Sequence, residues 1–324
     1  GTDALLGSPL LGATLYTRKH YFNFQTALSD SPRLRMQDKG LSAQIDWQLN
    51  DNLSLVSISA YRQFDSYDYT DTDFSDADLL STTNDADQQA VSQELQLHYS
   101  RADFNAIIGA FFFHQKLDLA FTNHIGDDFP TFFAASASEL TPLVDGLNTL
   151  SALSGGFIAP AAAATPGGTD IYHTANQTQD SIALYAQSDW QFAEEWTLTT
   201  GIRFTREDKS LRGEYTETGP GIDGLSMDPA DIPNPFAAGP ALAAIGAALG
   251  SGSLPDSASL AAVAPFQAAG WGFYFLNTAS VLPRPPMQES LSYNNVSGTV
   301  KVSYQPAVNQ LIYASWANGF KSGG

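Results

Sequence analysis

The alternation of apolar and polar residues is clearest between Asp180 and Arg212, where it repeats every two residues. From Ile182 to Phe192 the even-numbered positions are mostly apolar and the odd-numbered positions mostly polar. The alternation resumes at Trp196, after the short segment Ala193-Glu194-Glu195. A period of two predicts β-strands whose two faces meet different environments. A very short connection between two such strands predicts a β-hairpin.

Three further pairs of segments show the same period and predict three more hairpins. They are residues 41–49 with 53–64, 91–99 with 104–112, and 296–304 with 311–321. In the second segment Leu53 and Leu55 fall on one face and Val56 and Ile58 on the other, so we expect a β-bulge near Val56. Residues 12–27 are apolar but irregular, which gives a weaker ninth strand candidate.

The connections between these strands alternate between short and long. The short ones are Asn50–Asn52, Ser100–Asp103, Ala193–Glu195 and Gln305–Gln310, and the first long one is the polar segment Ser29–Lys39. Three longer loops are predicted at residues 65–89, 116–179 and 213–291. Apolar residues at helical spacing predict a short helix at residues 140–153. Short helices are also expected at residues 241–249 and 257–263, in the Ala-rich part of the last long loop.

Aromatic residues lie close to the short connections. Trp and Tyr rings settle at the headgroup level of a membrane, and transmembrane barrels have short turns at one rim and long loops at the other. The pattern therefore predicts an all-β fold, part of an antiparallel transmembrane β-barrel, with long extracellular loops that carry short helices. The predicted membrane-interface aromatics are Trp47, Tyr99, Phe104, Trp190, Phe192, Trp196, Tyr304 and Tyr313.

Composition narrows the possible functions. The chain has 324 residues, 15% of them charged, no cysteine and a net charge of -19. A nucleic-acid partner is excluded because it would require basic patches. Eight aspartates crowd residues 65–89, which invites a calcium interpretation. The glycine and closing glutamate of an EF-hand loop are missing, so we expect a solvated loop instead.

No arrangement of residues points to catalysis, a metal site or a cofactor. His124 with Asp127 and Asp128 is the only group that resembles a metal cluster, and we expect these to be solvated loop residues. Two sets of residues are candidates for ligand contact. One is an aromatic cluster in a long loop, and the other lies on the polar strand faces. The candidates are Trp271, Phe273, Tyr274, Phe275, Arg203 and Tyr185.

Several segments resemble the TonB-dependent outer-membrane receptors. They are ALYAQSDWQFAEEWTLTTGIRFTREDKS, VSYQPAVNQLIYASWANGFKSGG, LSLVSISAYR and SQELQLHYS. The resemblance implies a receptor in the bacterial cell outer membrane, surrounded by lipid. Such a receptor takes up a scarce solute actively, often a ferric siderophore or similar iron complex. It also implies coupling to the TonB-ExbB-ExbD complex through a plug and a TonB box, which this segment lacks.

We therefore expect residues 1–324 to be an internal part of the receptor's barrel domain, without the plug and the C-terminal strands. The absence of a signal peptide and the ending directly after a strand are consistent with this. Two alternatives remain open from the sequence, a passive porin-like barrel and a secreted glycan-binding β-sandwich. An enzyme is not expected, and the identity of the ligand does not follow from these residues.

Overall fold

In the described part of the chain, eight strands form one antiparallel sheet in which every strand pairs with its neighbours in sequence. The computed structural model describes residues 2–15, 26–136, 141–161, 167–218, 238–268 and 285–321. The strands are β1 (Arg33–Asn50), β2 (Leu53–Asp71), β3 (Leu80–Arg101), β4 (Phe104–Ile125), β5 (Thr169–Ala193), β6 (Trp196–Thr218), β7 (Met287–Ala307) and β8 (Gln310–Asn318). This single meander does not fit a β-sandwich, which needs two packed sheets.

The short and long connections lie at opposite ends of the sheet, as predicted. Two-residue turns join β1 to β2, β3 to β4, β5 to β6 and β7 to β8. We call this the turn end of the sheet and the opposite end the loop end. The register of the paired strands shifts only beside turns, for example between Gln191 and Ala193.

The long loops are shorter than predicted because the strands continue into them. The predicted loop 65–89 shrinks to residues 72–79, 116–179 to 126–168, and 213–291 to 219–286. Residues such as Asp65, Asp87 and Asp118 are strand residues that pair in register. Near the loop end β3, β5, β6 and β7 carry mostly polar residues on both faces, so the contrast between alternate positions disappears from their sequences. β4 keeps the contrast, with Leu117, Leu119 and Phe121 on one face.

Three other expectations were wrong. β2 pairs with β3 without a register shift from Leu53 to Asp71, and its pairing with β1 shifts only beside the turn, between Gln48 and Asn50, so there is no bulge at Val56. The strand is instead apolar on both faces. The segment 29–39 is not wholly a connection, since β1 begins at Arg33. The ninth strand candidate is not a strand at residues 12–15 or 26–27, and its remainder lies outside the described residues.

The helices belong to the loop end and to the start of the chain. They are α1 (Thr2–Leu6), α2 (Phe129–Ser136), α3 (Thr141–Leu153), α4 (Ala238–Gly250) and α5 (Ser257–Ala268). The last three confirm the predicted helices. None of the helices in the described ranges is long and apolar enough to cross a membrane.

Most of the buried apolar residues lie at the loop end and form two clusters. In the helical cluster, α3 from the β4–β5 connection packs against α4 and α5 from the β6–β7 connection, with Leu147, Ile245 and Val263 almost fully buried. The second cluster holds Ile125 and Ile171 at the strand ends. Phe133 of α2 packs against both clusters, so the two long connections and the strand ends form one packed structure.

Candidate functional site

The two faces of the sheet differ sharply near the turn end. Paired residues of antiparallel strands share a face, so the register assigns every strand residue to one side. One side, which we call the apolar face, runs on β5 through positions 182, 184, 186, 188 and 190. Its exposed apolar members are Ile45, Trp47, Leu95, Leu97, Ile108, Phe112, Ile182, Leu184, Ile202, Phe204, Val296 and Val300.

This apolar band has the height that a membrane requires. From position 182 to position 190 it covers nine residues of β5, which matches the roughly 9–11 residues with which a tilted β-strand crosses a membrane. On β4 and β5 it ends at the next row, where His114 Nδ1 lies 2.8 Å from Asp180 Oδ1, followed by Lys116 Nζ at 2.6 Å from Asp118 Oδ2. On β1 to β3 the row of His114 still carries the exposed apolar side chains of Leu41, Tyr61 and Val91. Gln93 is a polar exception within the band, and its amide nitrogen donates to Ser57 Oγ at 3.0 Å.

Aromatic rings form a row where the apolar face meets the turn end. The ring centroids of Trp190 and Phe192 are 5.8 Å apart, those of Phe192 and Trp196 6.3 Å, and those of Trp196 and Tyr304 4.5 Å. A second contact joins the Tyr99 and Phe104 rings at 6.2 Å. Trp47 shares this face and pairs with Leu55.

Tyr313 does not fit the predicted interface role. It pairs with Ser303 and therefore lies on the opposite face from Tyr304. Its neighbour Ile312 pairs with Tyr304, and Trp316 pairs with Val300 on the apolar face. The sequence reasoning missed Trp316 because β8 was not assigned to faces relative to β7.

The opposite side, which we call the polar face, carries a connected set of side chains on β3, β4 and β5. The Tyr185 ring lies over Gly109, where a Cβ atom would be 2.2 Å from the ring. Only glycine at position 109 leaves this space, so Tyr185 reaches across β4 and its hydroxyl donates to Glu94 Oε1. Gln96 donates to the same oxygen at 3.0 Å and contacts His98 Nε2 at 2.7 Å.

Arg203 on β6 extends this set across β5. Its guanidinium carbon lies 5.6 Å from the centre of the Tyr185 ring and 5.7 Å from that of the Phe111 ring. Ala183, which is fully buried, is the small residue that lies between Thr205 and Phe111 in the register. The Arg203 Nε atom donates to Thr205 Oγ1 at 3.1 Å. The structure thus brings together two of the predicted ligand residues, Tyr185 and Arg203.

The aspartates of the β2–β3 connection organise the loop end through backbone amides. Asp71, 1% exposed, accepts hydrogen bonds from the Ser29 amide at 2.8 Å and the Phe74 amide at 3.0 Å. Asp73 accepts from the Leu80 amide at 2.9 Å, and burial raises the pKa of Asp73. Asp76 accepts from the Thr14 amide at 2.7 Å. These carboxylates are therefore structural acceptors in loop turns rather than merely solvated groups.

A metal-binding arrangement of three or more His, Cys, Asp or Glu side chains is absent from the described ranges. His124 lies 2.6 Å from Asp170, outside the group proposed with Asp127 and Asp128. Asp128 instead accepts from the Asp78 amide at 3.0 Å. The aromatic cluster Trp271, Phe273, Tyr274 and Phe275 lies outside the described residues.

A family model described as "TonB dependent receptor-like, beta-barrel" matches residues 2–324. The chain belongs to this family. Its eight-stranded sheet is accordingly part of an antiparallel transmembrane β-barrel, and the apolar face is the lipid-facing one. The family is one of bacterial outer-membrane receptors, which supports the predicted localisation. No curated protein matches the chain.

Solved structures of two receptors are similar to this segment of a TonB-dependent receptor. The siderophore receptor PiuA from Acinetobacter baumannii is 13% identical with a TM-score of 0.50, over 90% of this chain and 33% of that one. The ferric yersiniabactin uptake receptor FyuA from Yersinia pestis is 10% identical with a TM-score of 0.48, over 88% and 28%. The segment therefore spans about a third of the length of these receptors. At 13% identity, the similarity to PiuA is a similarity of fold.

Proposed function

We propose that this segment forms part of the wall of an outer-membrane receptor that imports a scarce solute actively, namely a ferric siderophore or a similar iron complex. The observation that carries the proposal is the combination of a lipid-facing apolar band with a packed loop end above it. The band would hold the barrel in the outer membrane. The loop end would provide the surface on which a small-molecule ligand is first captured.

The polar face would line the interior of the barrel. Val56, Ile107 and Phe111 are apolar residues on this face, where a water-filled channel would favour polar ones. We infer that a plug, encoded outside residues 1–324, packs against them. Through this plug the TonB-ExbB-ExbD complex would supply the energy for import. Tyr185 and Arg203 on the wall, and the cluster at Trp271, Phe273, Tyr274 and Phe275 in the outer loop, are the proposed ligand contacts.

Uptake of a radioactive ferric siderophore by cells that carry the full-length protein tests this proposal. We expect accumulation that is lost when TonB is deleted or when a proton uncoupler is added. Uptake that survives both treatments would favour a passive porin-like barrel. Recovery of the protein in the soluble fraction without detergent would contradict a membrane receptor of either kind.

A further inference from the structure

A groove on the polar face lies beside Arg203, between β5 and β8. It has a volume of about 280 Å³, and its lining includes Tyr185, Gln187, Arg203, Ser297 and Thr299. Arg203 is the one charged residue in this lining. The lining of this groove is positively charged, whereas the chain as a whole has a net charge of -19. The sign of the charge in the groove is therefore opposite to that of the whole chain.

The guanidinium of Arg203 is held in place before anything binds. Contacts with the Phe111 and Tyr185 rings and the hydrogen bond from Nε to Thr205 fix its plane. A fixed guanidinium loses little conformational entropy when it binds a planar anion through two parallel hydrogen bonds. Within the described part of the chain, Arg203 makes no salt bridge, so its two terminal nitrogens retain their donors.

Glu94 interacts electrostatically with Arg203, but the hydrogen bonds of its side chain come from other residues. The Tyr185 hydroxyl and the Gln96 amide both donate to its Oε1 atom. Gln187 and Ser297 line the groove, and their side chains form no hydrogen bond with the residues that the structure describes. The groove therefore offers one oriented cation and two neutral donor groups.

We propose that this groove binds a carboxylate group, with Arg203 as the bidentate donor and Gln187 and Ser297 as additional donors. A carboxylate carries a single negative charge that one guanidinium balances. A phosphate carries a charge of about -1.5 to -2, which is more negative charge than one guanidinium balances. The nearby negative charge of Glu94 would repel the part that Arg203 does not neutralise. The carboxylate belongs either to an acidic side chain of a protein segment inside the barrel or to a solute that passes the wall.

Zero-length crosslinking in the full-length receptor separates these two sources. The Arg203→Lys variant places a primary amine at the groove. A water-soluble carbodiimide couples this amine to an adjacent carboxylate, which forms an amide bond with loss of water. Tandem mass spectrometry then identifies the attached peptide. The wild-type protein gives the background, because a guanidinium does not form this bond, and Lys301 is an internal comparison on the same face but outside the groove lining.

A crosslink from position 203 to an acidic residue of a segment other than residues 1–324 supports the proposal and assigns the carboxylate to the protein. If there is no such crosslink, the carboxylate should belong to a solute. In that case we expect citrate to bind the wild-type receptor about tenfold more tightly than the Arg203→Gln variant, because the variant loses one charge-assisted pair. Lys301→Gln should leave citrate affinity unchanged. The proposal is wrong if position 203 crosslinks only to Glu94, or if there is neither a crosslink nor a difference in citrate affinity. The inference rests on the proposed function in taking the polar face as the interior of a receptor barrel, but these readouts do not depend on iron uptake, so the two proposals can fail separately.

Discussion

At the scale of single residues, two small side chains determine the arrangement of the barrel wall. Gly109 and Ala183 leave room on the polar face for the long side chains of Tyr185 and Arg203, which lie along the sheet instead of standing away from it. The sequence identified Tyr185 and Arg203 as residues of the polar face. It did not reveal their contacts with Glu94 and Phe111, because these join residues far apart in the chain through the register of four strands.

Gly109→Ala should destabilise the folded receptor because the new methyl group would overlap the Tyr185 ring. We expect a loss of about 1–3 kcal/mol in the free energy of unfolding, typical of overpacking. Urea unfolding of the full-length protein in detergent or bilayers measures it. In a Tyr185→Leu background the same substitution should cost less than about 1 kcal/mol. Equal costs in both backgrounds would show that the ring does not lie over Gly109.

Trp190→Asp should prevent stable membrane insertion, because position 190 lies on the lipid-facing side at the aromatic row. A charge there would have to enter the interface in place of an indole ring. The neighbouring Gln191→Asp is the matched control, since position 191 pairs with Thr197 on the polar face and should be tolerated. The amount of heat-modifiable protein in outer-membrane fractions measures assembly. Normal assembly of Trp190→Asp would contradict the assignment of faces.

At the scale of elements, the strands and the loop helices differ in how much of their structure the sequence predicts. Within the membrane band the strands alternate clearly, so the sequence predicted them and their short turns. Beyond the band the alternation weakens on most strands, and β3 to β6 were predicted several residues too short. Of the helices, α3 was predicted from apolar spacing, and α4 and α5 were expected from the Ala-rich composition of their loop. Their packing was not predicted, because α3 belongs to one connection and α4 and α5 to another.

Ile245→Ala should loosen two connections at once. Ile245 is fully buried among residues of α3, α4 and α5, so the cavity should cost about 2–4 kcal/mol of local stability. Hydrogen exchange should therefore become faster in α3 as well as in α4, although α3 lies in the other connection. Leu254→Ala is the control, because Leu254 is 82% exposed and should change exchange little. Faster exchange confined to α4 would show that the two connections do not share a core.

At the scale of the whole molecule, the fold class was predictable because a barrel wall repeats one pattern. Four hairpins with short turns at one end and long loops at the other define the orientation of every strand, and the family match agrees with it. The identity of the ligand does not follow from this repeated pattern. Ligand recognition depends on the loop end and on the interior of the complete receptor, and this segment contains only part of each.

The central claim is that the apolar face of the strands crosses a membrane. The chain contains no cysteine, so single cysteines can be introduced at each position from 174 to 192 on β5, with any cysteine elsewhere in the receptor replaced. A fluorophore attached to each is then quenched by lipids that carry a quencher at known depth. We predict strong quenching at even positions from 182 to 190, weak quenching at odd positions in that range, and none from position 174 to position 180, which lies toward the loop end. Quenching without this alternation, or equal quenching at 176 and 184, would contradict the account.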